Sequence, residues 1–432
     1  MSLPSYEGAG NLGDFFGAIT TIFGLRNNLL NVIFGISYER ALFWHKAMGG
    51  ATIVVIAIHA LCGMNFSGIM MLVAMVAMAL TYLIKNQKIP KAFEIFYYCH
   101  LAAMILLMVM GLSHGTPFIM FSGLLWIVDV ILRSCAYCQS ETIKATVTHL
   151  PGEVIKLTFE KAIKYHAGQY AFLRIPTVNK IEFHPFSFSS SPQDDQMTIH
   201  IRELGDWTRR LGDIVREHDK SSPNTPLQLD VMVDGSYGSH MINLESPEYE
   251  VFLLISGGIG ITPNQSVYNR LIAQSESGRV LRKVFFIWSV KDKALVDTMS
   301  PDMLESSKLH PELTPLSFQP AMTGQATKHI KSSSVMPVTS IEEGIELANP
   351  STESPGEAVF ENRFYLTRLR SESEFQNANI DPTAQPWLYF GRPDVPALFE
   401  ETRAMLLKDR EGGRGGGGGV SRVAVSVCGP RW

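Results

Sequence analysis

Much that would classify a 432-residue chain at a glance is missing from this one. Its five cysteines, Cys62, Cys99, Cys135, Cys138 and Cys428, are too few and too scattered for a disulfide framework. Cys135-x-x-Cys138 has the spacing of a metal or redox pair, but no second pair accompanies it, so the two read as ordinary thiols where the last apolar stretch ends. No basic tract or stacking platform is present and the net charge is only -4, which argues against a nucleic-acid partner. Met1 to Leu12 lacks the basic start and cleavage pattern of a secretory signal. There is no EF-hand pattern to suggest calcium control, and nothing nominates a catalytic triad. Charged residues are scarce at 18%, and from Phe66 to Ile84 there are none.

What is present divides sharply. Hydrophobic residues make up 46% of the chain and mean hydropathy is +0.09, with the excess lying before residue 134. Four segments predict membrane spans: Ala47 to Cys62, Phe66 to Ile84, Phe96 to Ser113, and Pro117 to Val128 running on through Asp129 to Leu132. Several are near the lower end of the roughly 17–25 residues that cross hydrocarbon, so flanking turns are expected to extend them. Leu12 to Ile36, interrupted by Arg26, Asn27 and Asn28, reads as the end of a further span plus an interfacial turn. Lys85, Lys88 and Lys91 fall between the second and third clear spans, Arg40 and Lys46 precede the first, and Arg133 follows the fourth. The other two loops carry no Lys or Arg, so the positive-inside rule puts everything after Arg133 on the cytoplasmic side.

His45 and His59 are fourteen residues apart, and so are His100 and His114. That interval is close to four helical turns, roughly 21 Å, so both members of each pair share a helix face. The first and third spans run parallel, which sets His45 against His100 near one surface and His59 against His114 near the other. Imidazole at membrane depth is costly unless ligated or paired, and neutral imidazole is a good axial ligand for haem iron. For any one of these histidines, a polar residue satisfied inside a bundle is the plainer reading. The repeated interval in parallel spans points to two stacked haems. Arg40, Lys46 and Arg133 are either partners for haem propionates or positive-inside anchors.

After Arg133 the texture changes. Thr142 to Thr148, Val154 to Phe159, Tyr170 to Ile175, Met197 to Arg202 and Leu227 to Val233 have strand character, with a turn at Pro151-Gly152, and their spacing predicts a small antiparallel barrel. His184-Pro185-Phe186-Ser187 and Gly205-Asp206-Trp207-Thr208 read as polar turns suited to an isoalloxazine ring and a pyrophosphate. From Tyr249 the order becomes strand (Val251 to Ile255), glycine turn, helix (Asn264 to Gln274), strand (Val284 to Trp288), which opens a parallel α/β sheet. In the turn, Gly257, Gly258, Ile259, Gly260, Thr262 and Pro263 let a dinucleotide approach the backbone and a helix N-terminus, though this is not the usual G-x-G-x-x-G. Arg392, just after the short strand Leu388 to Phe390, suits a ribose 2′-phosphate, and Cys428-Gly429-Pro430 ends a further strand, Val423 to Val427, at the same ligand-binding edge. The polar stretch 300–355 reads as a surface insertion, and the glycine-rich segment 411–419 as a flexible linker.

Taken in order, these motifs resemble the ferric reductase and NADPH oxidase superfamily over essentially the whole chain. The paired histidines match its haem ligands, and Gly35 to Lys46 is similar to the loop entering its third helix. His184 to Ser187 resembles its flavin motif, and Ile201 to Thr208 and Val233 to Gly238 its phosphate-contacting loops. Gly257 to Pro263, Phe390 to Pro393 and Cys428 to Pro430 resemble its nicotinamide-nucleotide motifs. The resemblance implies a transmembrane haem-binding helical bundle (1–135), an FAD-binding antiparallel β-barrel (140–245) and an NADPH-binding α/β domain (249–432), with Gly235 among the NADPH contacts. It also implies FAD, NADPH and two b-type haems as cofactors, in a plasma-membrane protein whose dehydrogenase half is cytoplasmic. Members usually have six helices and continue beyond the Cys-Gly-Pro motif, so an incomplete first domain and a shortened end are expected here.

The acceptor divides the functional expectations. Equal fourteen-residue intervals and the loop Gly35 to Arg40 resemble reductases of ferric or cupric chelates, the favoured reading. Gly205 to Thr208, Val233 to Gly235 and Phe364 to Thr367 are similar to oxidases that reduce O2 to superoxide. A third reading is a non-catalytic membrane subunit, and an accessory membrane subunit is a further conceivable partner.

Overall fold

The structure, a computed structural model, describes residues 6–26, 36, 38–61, 65–84, 92–139, 359–369, 387–411 and 422–429, and also 142–299 apart from 181, 224, 239–243, 245, 247, 292 and 298. The insertion 300–355 and nearly all of the linker 411–419 lie outside the described residues, as does Pro430. The described chain divides into two units, Met1–Ser140 and Glu141–Trp432.

The described elements of the first unit are all helices: α1 (Tyr6–Gly24), α2 (Tyr38–Ala60), α3 (Phe66–Ile84), α4 (Ala92–His114) and α5 (Pro117–Gln139). The last four are long and apolar enough to cross a membrane. They exceed the predicted spans at several ends, as the hydrocarbon thickness requires. The partial span read from Leu12 starts earlier, at Tyr6, and α1 packs along α2 and α5. Met71, Ala74, Met75, Ala103, Leu107 and Ile119 form a small core between helices. Its few buried charges are engaged. The Asp14 carboxylate of α1 accepts from the amides of Phe118 (3.0 Å) and Ile119 (2.8 Å), capping α5 from a neighbouring helix. Asp129, which interrupts the apolar run of α5, is paired with Arg133 one turn on at 3.0 Å.

In the second unit, six antiparallel strands run in the order β4-β3-β6-β1-β2-β5. They are β1 (Ile143–Leu150), β2 (Val154–Glu160), β3 (Tyr170–Arg174), β4 (His184–Ser187), β5 (Gln196–Arg202) and β6 (Leu227–Tyr237). A bridge between Phe188 and Ile199 joins the two outermost strands and closes the barrel. Alternating residues fill it, among them Val147, Leu157, Leu173, Phe188 and Ile199. Helix α6 (Asp206–Ser221) buries Trp207, Leu211 and Val215 against this core, a face of period four.

A parallel sheet of order β10-β9-β8-β7-β11 follows. Its strands are β7 (Tyr249–Gly257), β8 (Lys283–Val290), β9 (Val359–Leu366), β10 (Leu388–Phe390) and β11 (Arg422–Cys428), with helices α7 (Ile261–Glu276) and α8 (Val395–Glu411). Both faces are covered, so β7 and β8 are buried almost end to end, as parallel strands are. Leu254, Tyr268, Phe286 and Trp288 lie in the larger core, and Leu253, Phe285 and Leu398 in the smaller. The predicted architecture, helical bundle then antiparallel barrel then parallel α/β sheet, is the one found.

Candidate functional site

Three groups of residues stand out, one in the helical unit and two in the second. In the helical unit the four histidines meet in two pairs. His45 of α2 and His100 of α4 have ring centroids 6.2 Å apart, and His59 and His114 on the same helices are 6.3 Å apart. Two metal–nitrogen bonds of about 2 Å plus the ring radii come to about that separation, so each pair could hold one metal ion between its rings. Among the described residues no cluster of three or more His, Cys, Asp or Glu is placed to hold a metal ion. Two imidazoles alone suit an iron whose remaining donors come from a macrocycle.

The surroundings fit that group as well. His45 Nδ1 lies 2.8 Å from the Thr20 carbonyl of α1, and His114 Nδ1 lies 3.1 Å from both Asn65 Oδ1 and Ser67 Oγ. A proton on each Nδ1 leaves Nε2 with its lone pair, the tautomer that could hold a metal ion. Glycines cradle three of the rings. A Cβ on Gly24 would come 3.1 Å from His45, one on Gly10 3.0 Å from His59, and one on Gly68 2.9 Å from His114. Gly10 and Gly24 are themselves fourteen residues apart, so α1 repeats the histidine interval in antiparallel sense. His100 packs on Phe96 at 5.2 Å instead. Of the three cations read as propionate partners or membrane anchors, Arg133 is engaged by Asp129.

On the barrel, the structure brings together His184, Phe186 and Trp207. The Trp207 ring sits 4.7 Å from that of His184 and 5.7 Å from that of Phe186. His184 to Ser187, expected as a turn, is instead a strand, β4, paired with β3. The β-prone Phe186 and the edge position explain how Pro185 is accommodated. His184 Nε2 lies 3.2 Å from Glu182. Trp207 is buried with an indole N–H that finds no acceptor among the described residues, a donor available to a bound group. Thr208 Oγ1 already accepts from the amides of Leu204 and Gly205, both at 2.9 Å. A pyrophosphate here is therefore left with the first-turn amides of α6. Gly235, expected among the NADPH residues, lies in β6 of the barrel at φ +140, with Phe172 of β3 paired to its neighbour Asp234. The stacked Tyr170 and Tyr237, 5.9 Å apart, adjoin it.

At the carboxyl edge of the parallel sheet, glycine backbones touch. A Cβ on Gly260 would fall 2.6 Å from Gly429 Cα, and one on Gly429, at φ +148, would fall 2.9 Å from Gly257 N. The turn 257–260 and the end of β11 are thus in direct main-chain contact. Trp288 of β8 pins the turn by donating Nε1–H to the Gly258 carbonyl at 2.9 Å. Asn264 of α7 donates to Ser256 Oγ and the Ile255 carbonyl and accepts from Ser426, tying α7 to β7 and β11. Thr262 Oγ1 donates to the Ile259 carbonyl at 3.3 Å, and Pro263 sits in the first turn of α7. Burial pushes the Cys428 thiol above its ordinary range. The thiol lies 3.7 Å from Asn264 Oδ1, where burial favours its neutral form.

Arg392 is exposed just past β10, three strands from the glycine turn, roughly 14 Å at ordinary strand spacing. Two cations went unread in the sequence. Lys291 follows β8 and Arg368 follows β9, both exposed, on the same edge as Arg392. Their signal was a cation one or two residues after each successive parallel strand.

Residues 10–67 match the family model for the ferric reductase like transmembrane component, 139–241 that for the FAD-binding domain, and 249–432 that for the ferric reductase NAD binding domain. The chain is 34% identical over 214 residues to the respiratory burst oxidase homolog protein E of Arabidopsis thaliana, covering 42% of this chain and 22% of that protein. It is 30% identical over 197 residues to NADPH oxidase 3 of Rattus norvegicus, covering 43% and 34%. The chain thus spans only about a fifth to a third of these relatives' length. A flavohemoglobin from Malassezia yamatoensis aligns with 97% of the chain and 96% of its own, at 16% identity and a TM-score of 0.38, too low to carry an argument. Three domain matches in one order, on a membrane-spanning bundle followed by a flavin barrel and a nucleotide-binding sheet, place this integral membrane protein in the ferric reductase and NADPH oxidase superfamily.

Proposed function

We propose that this chain is an NADPH-dependent oxidoreductase that delivers electrons from a cytoplasmic dehydrogenase half, through two bis-histidine haems, to an acceptor across the plasma membrane. The observation that carries the reading is the pair of imidazole pairs, 6.2 and 6.3 Å between centroids and one fourteen-residue interval apart. When bound, FAD would supply the switch from hydride to single-electron chemistry and haem iron would supply one-electron carriage.

The chain's own residues bind, orient and exclude water. Gly257, Gly258 and Gly260 admit the dinucleotide to the backbone, with Ile259, Thr262 and Pro263 completing the turn and Cys428 and Gly429 closing it; Pro430 is assigned to the same site from its motif alone. Lys291, Arg368 and Arg392 supply positive charge for a 2′-phosphate. His184, Pro185, Phe186 and Ser187 form the flavin wall, backed by Trp207, with Gly205 and Thr208 shaping the α6 N-terminus for its pyrophosphate. His45, His59, His100 and His114 hold the irons. No side chain is assigned a general acid or base role, since positions and potentials suffice.

For the acceptor we favour dioxygen, giving superoxide, because the curated relatives are respiratory burst oxidases and NADPH oxidases. The sequence alone leaned towards ferric or cupric chelates, and the equal histidine intervals still favour that second reading. Purified protein loaded with FAD and haem and supplied with NADPH distinguishes them. Cytochrome c reduction abolished by superoxide dismutase supports the oxidase. Dismutase-insensitive reduction of an Fe(III) chelate supports the metalloreductase. Haem that NADPH never reduces would sink both and leave a non-catalytic subunit.

A further inference from the structure

His45 and His114 are held by different kinds of acceptor. His45 Nδ1 meets a main-chain carbonyl, that of Thr20, at 2.8 Å in the last turn of α1. The helix dipole adds negative charge at that end. His114 Nδ1 meets two side-chain oxygens, Asn65 Oδ1 and Ser67 Oγ. Asn65 is also the N-cap of α3. Its Oδ1 accepts from Gly68 N at 2.8 Å and from Ser67 Oγ at 3.0 Å, while its own carbonyl accepts from Ile69 N at 3.0 Å. An oxygen already shared between two donors at the positive end of a helix is a weak acceptor for a third.

The acceptor on the distal nitrogen sets how electron-rich the ligating nitrogen is. A strong acceptor stabilises the oxidised metal and lowers the potential, and a weak one does the reverse. We propose that Asn65 is a positioning residue that orients His114 and, by sharing its oxygen with the α3 cap, holds the His59/His114 centre at a higher reduction potential than the His45/His100 centre. One electron leaving the second centre for the first then moves downhill, with no proton required. The inference rests on the proposed haem ligation.

The test is a spectroelectrochemical titration of the full-length chain in detergent, with haem counted as the pyridine haemochrome. Asn65→Asp keeps an equally good N-cap but puts a full negative charge beside His114 Nδ1. The expected result is two haems, one of them with a potential lowered by about 59 mV, a tenfold change in the electron equilibrium between centres, and the other unmoved. Ser67→Ala leaves the bond from Gly68 to Asn65 in place, removes one acceptor from His114 and frees Asn65 Oδ1 from one competing donor, so a smaller shift confined to the same haem is expected. It keeps the question open to refutation if the aspartate variant fails to fold. Two haems with unmoved potentials in the folded variants, or both potentials moving together, overturn the inference alone. A wild-type chain that takes up no haem overturns the proposed function and this inference with it.

Discussion

Glycine serves opposite purposes in the two halves of this molecule. In the helical unit Gly10, Gly24 and Gly68 are not themselves the site. They stand on neighbouring helices and leave room for an imidazole ring that arrives from elsewhere. In the parallel sheet Gly257, Gly260 and Gly429 touch one another through their backbones, and it is on that main chain that we propose the nucleotide lies. A side chain forced onto the first kind displaces a ring with some freedom to move. Forced onto the second kind it meets main chain, which has little. The same residue type therefore predicts different failures on the two sides.

The largest effect expected is all-or-none and belongs to the helical side. His59→Ala leaves His114 without its facing imidazole, so haem content should fall from two per chain to one while FAD content holds. Two haems in that variant would break the proposed pairing. Gly24→Val is the milder version, since the Cβ already lies 3.1 Å from His45 and the extra methyls press on the ring. Its expected outcome is a distorted low-spin EPR signal for one haem with the haem count retained or reduced.

The matching change on the other side is Gly429→Ala. At φ +148, with Gly257 N only 2.9 Å from the new Cβ, both backbone conformation and contact oppose it. Overpacking of this kind costs about 1–3 kcal/mol. NADPH affinity should fall roughly ten- to hundredfold, with haem and FAD content unchanged. Equal NADPH affinity by calorimetry would show that the glycine contact is not the nucleotide floor. Removing cations acts more gently. Each of Lys291→Ala, Arg368→Ala and Arg392→Ala should lower the NADPH-to-NADH preference by about tenfold if its side chain meets the 2′-phosphate through a charged hydrogen bond. A preference unmoved by all three would place the adenosine elsewhere.

This contrast also governs what could be read from the chain. The turn Gly257 to Pro263 is contiguous, so its chemistry shows in seven adjacent letters. The cradle glycines pair with histidines some 20 to 50 positions away, and no local pattern marks them. Histidine intervals were legible because α-helical period alone fixes their faces. Strand β4 was read as a turn because Pro185 and the serines carry loop statistics, while the barrel edge that tolerates them is a tertiary fact. Helix α6 is weakly marked in the sequence, because Trp207, Leu211 and Val215 keep a spacing of four among charged residues and only that narrow stripe is buried. Strand β9 was hidden by Glu361 and Arg363, charged residues in what is a central strand of the sheet.

That pair yields the smallest effect expected, and one confined to the sheet. Burial alone would raise the Glu361 carboxyl, but Arg363 and Lys283 hold it below the usual carboxylate range. Lys283 lies 2.6 Å from it, and Arg363 is also clasped by Glu401. A carboxyl whose folded pKa is depressed contributes stability that is fully present above its unfolded value, near 4.3. That contribution is lost as pH falls through the folded value, because protonation is then easier in the unfolded chain. Urea unfolding of the sheet, followed by Trp288 fluorescence in the full-length protein, should therefore weaken between about pH 5 and pH 3. Glu361→Gln should flatten that slope and cost about 1–3 kcal/mol near neutrality, where Lys283 loses its charged partner. The helical unit supplies the control. Its haem spectrum should not follow this pH dependence, and if it did, the sheet and the bundle would be unfolding as one.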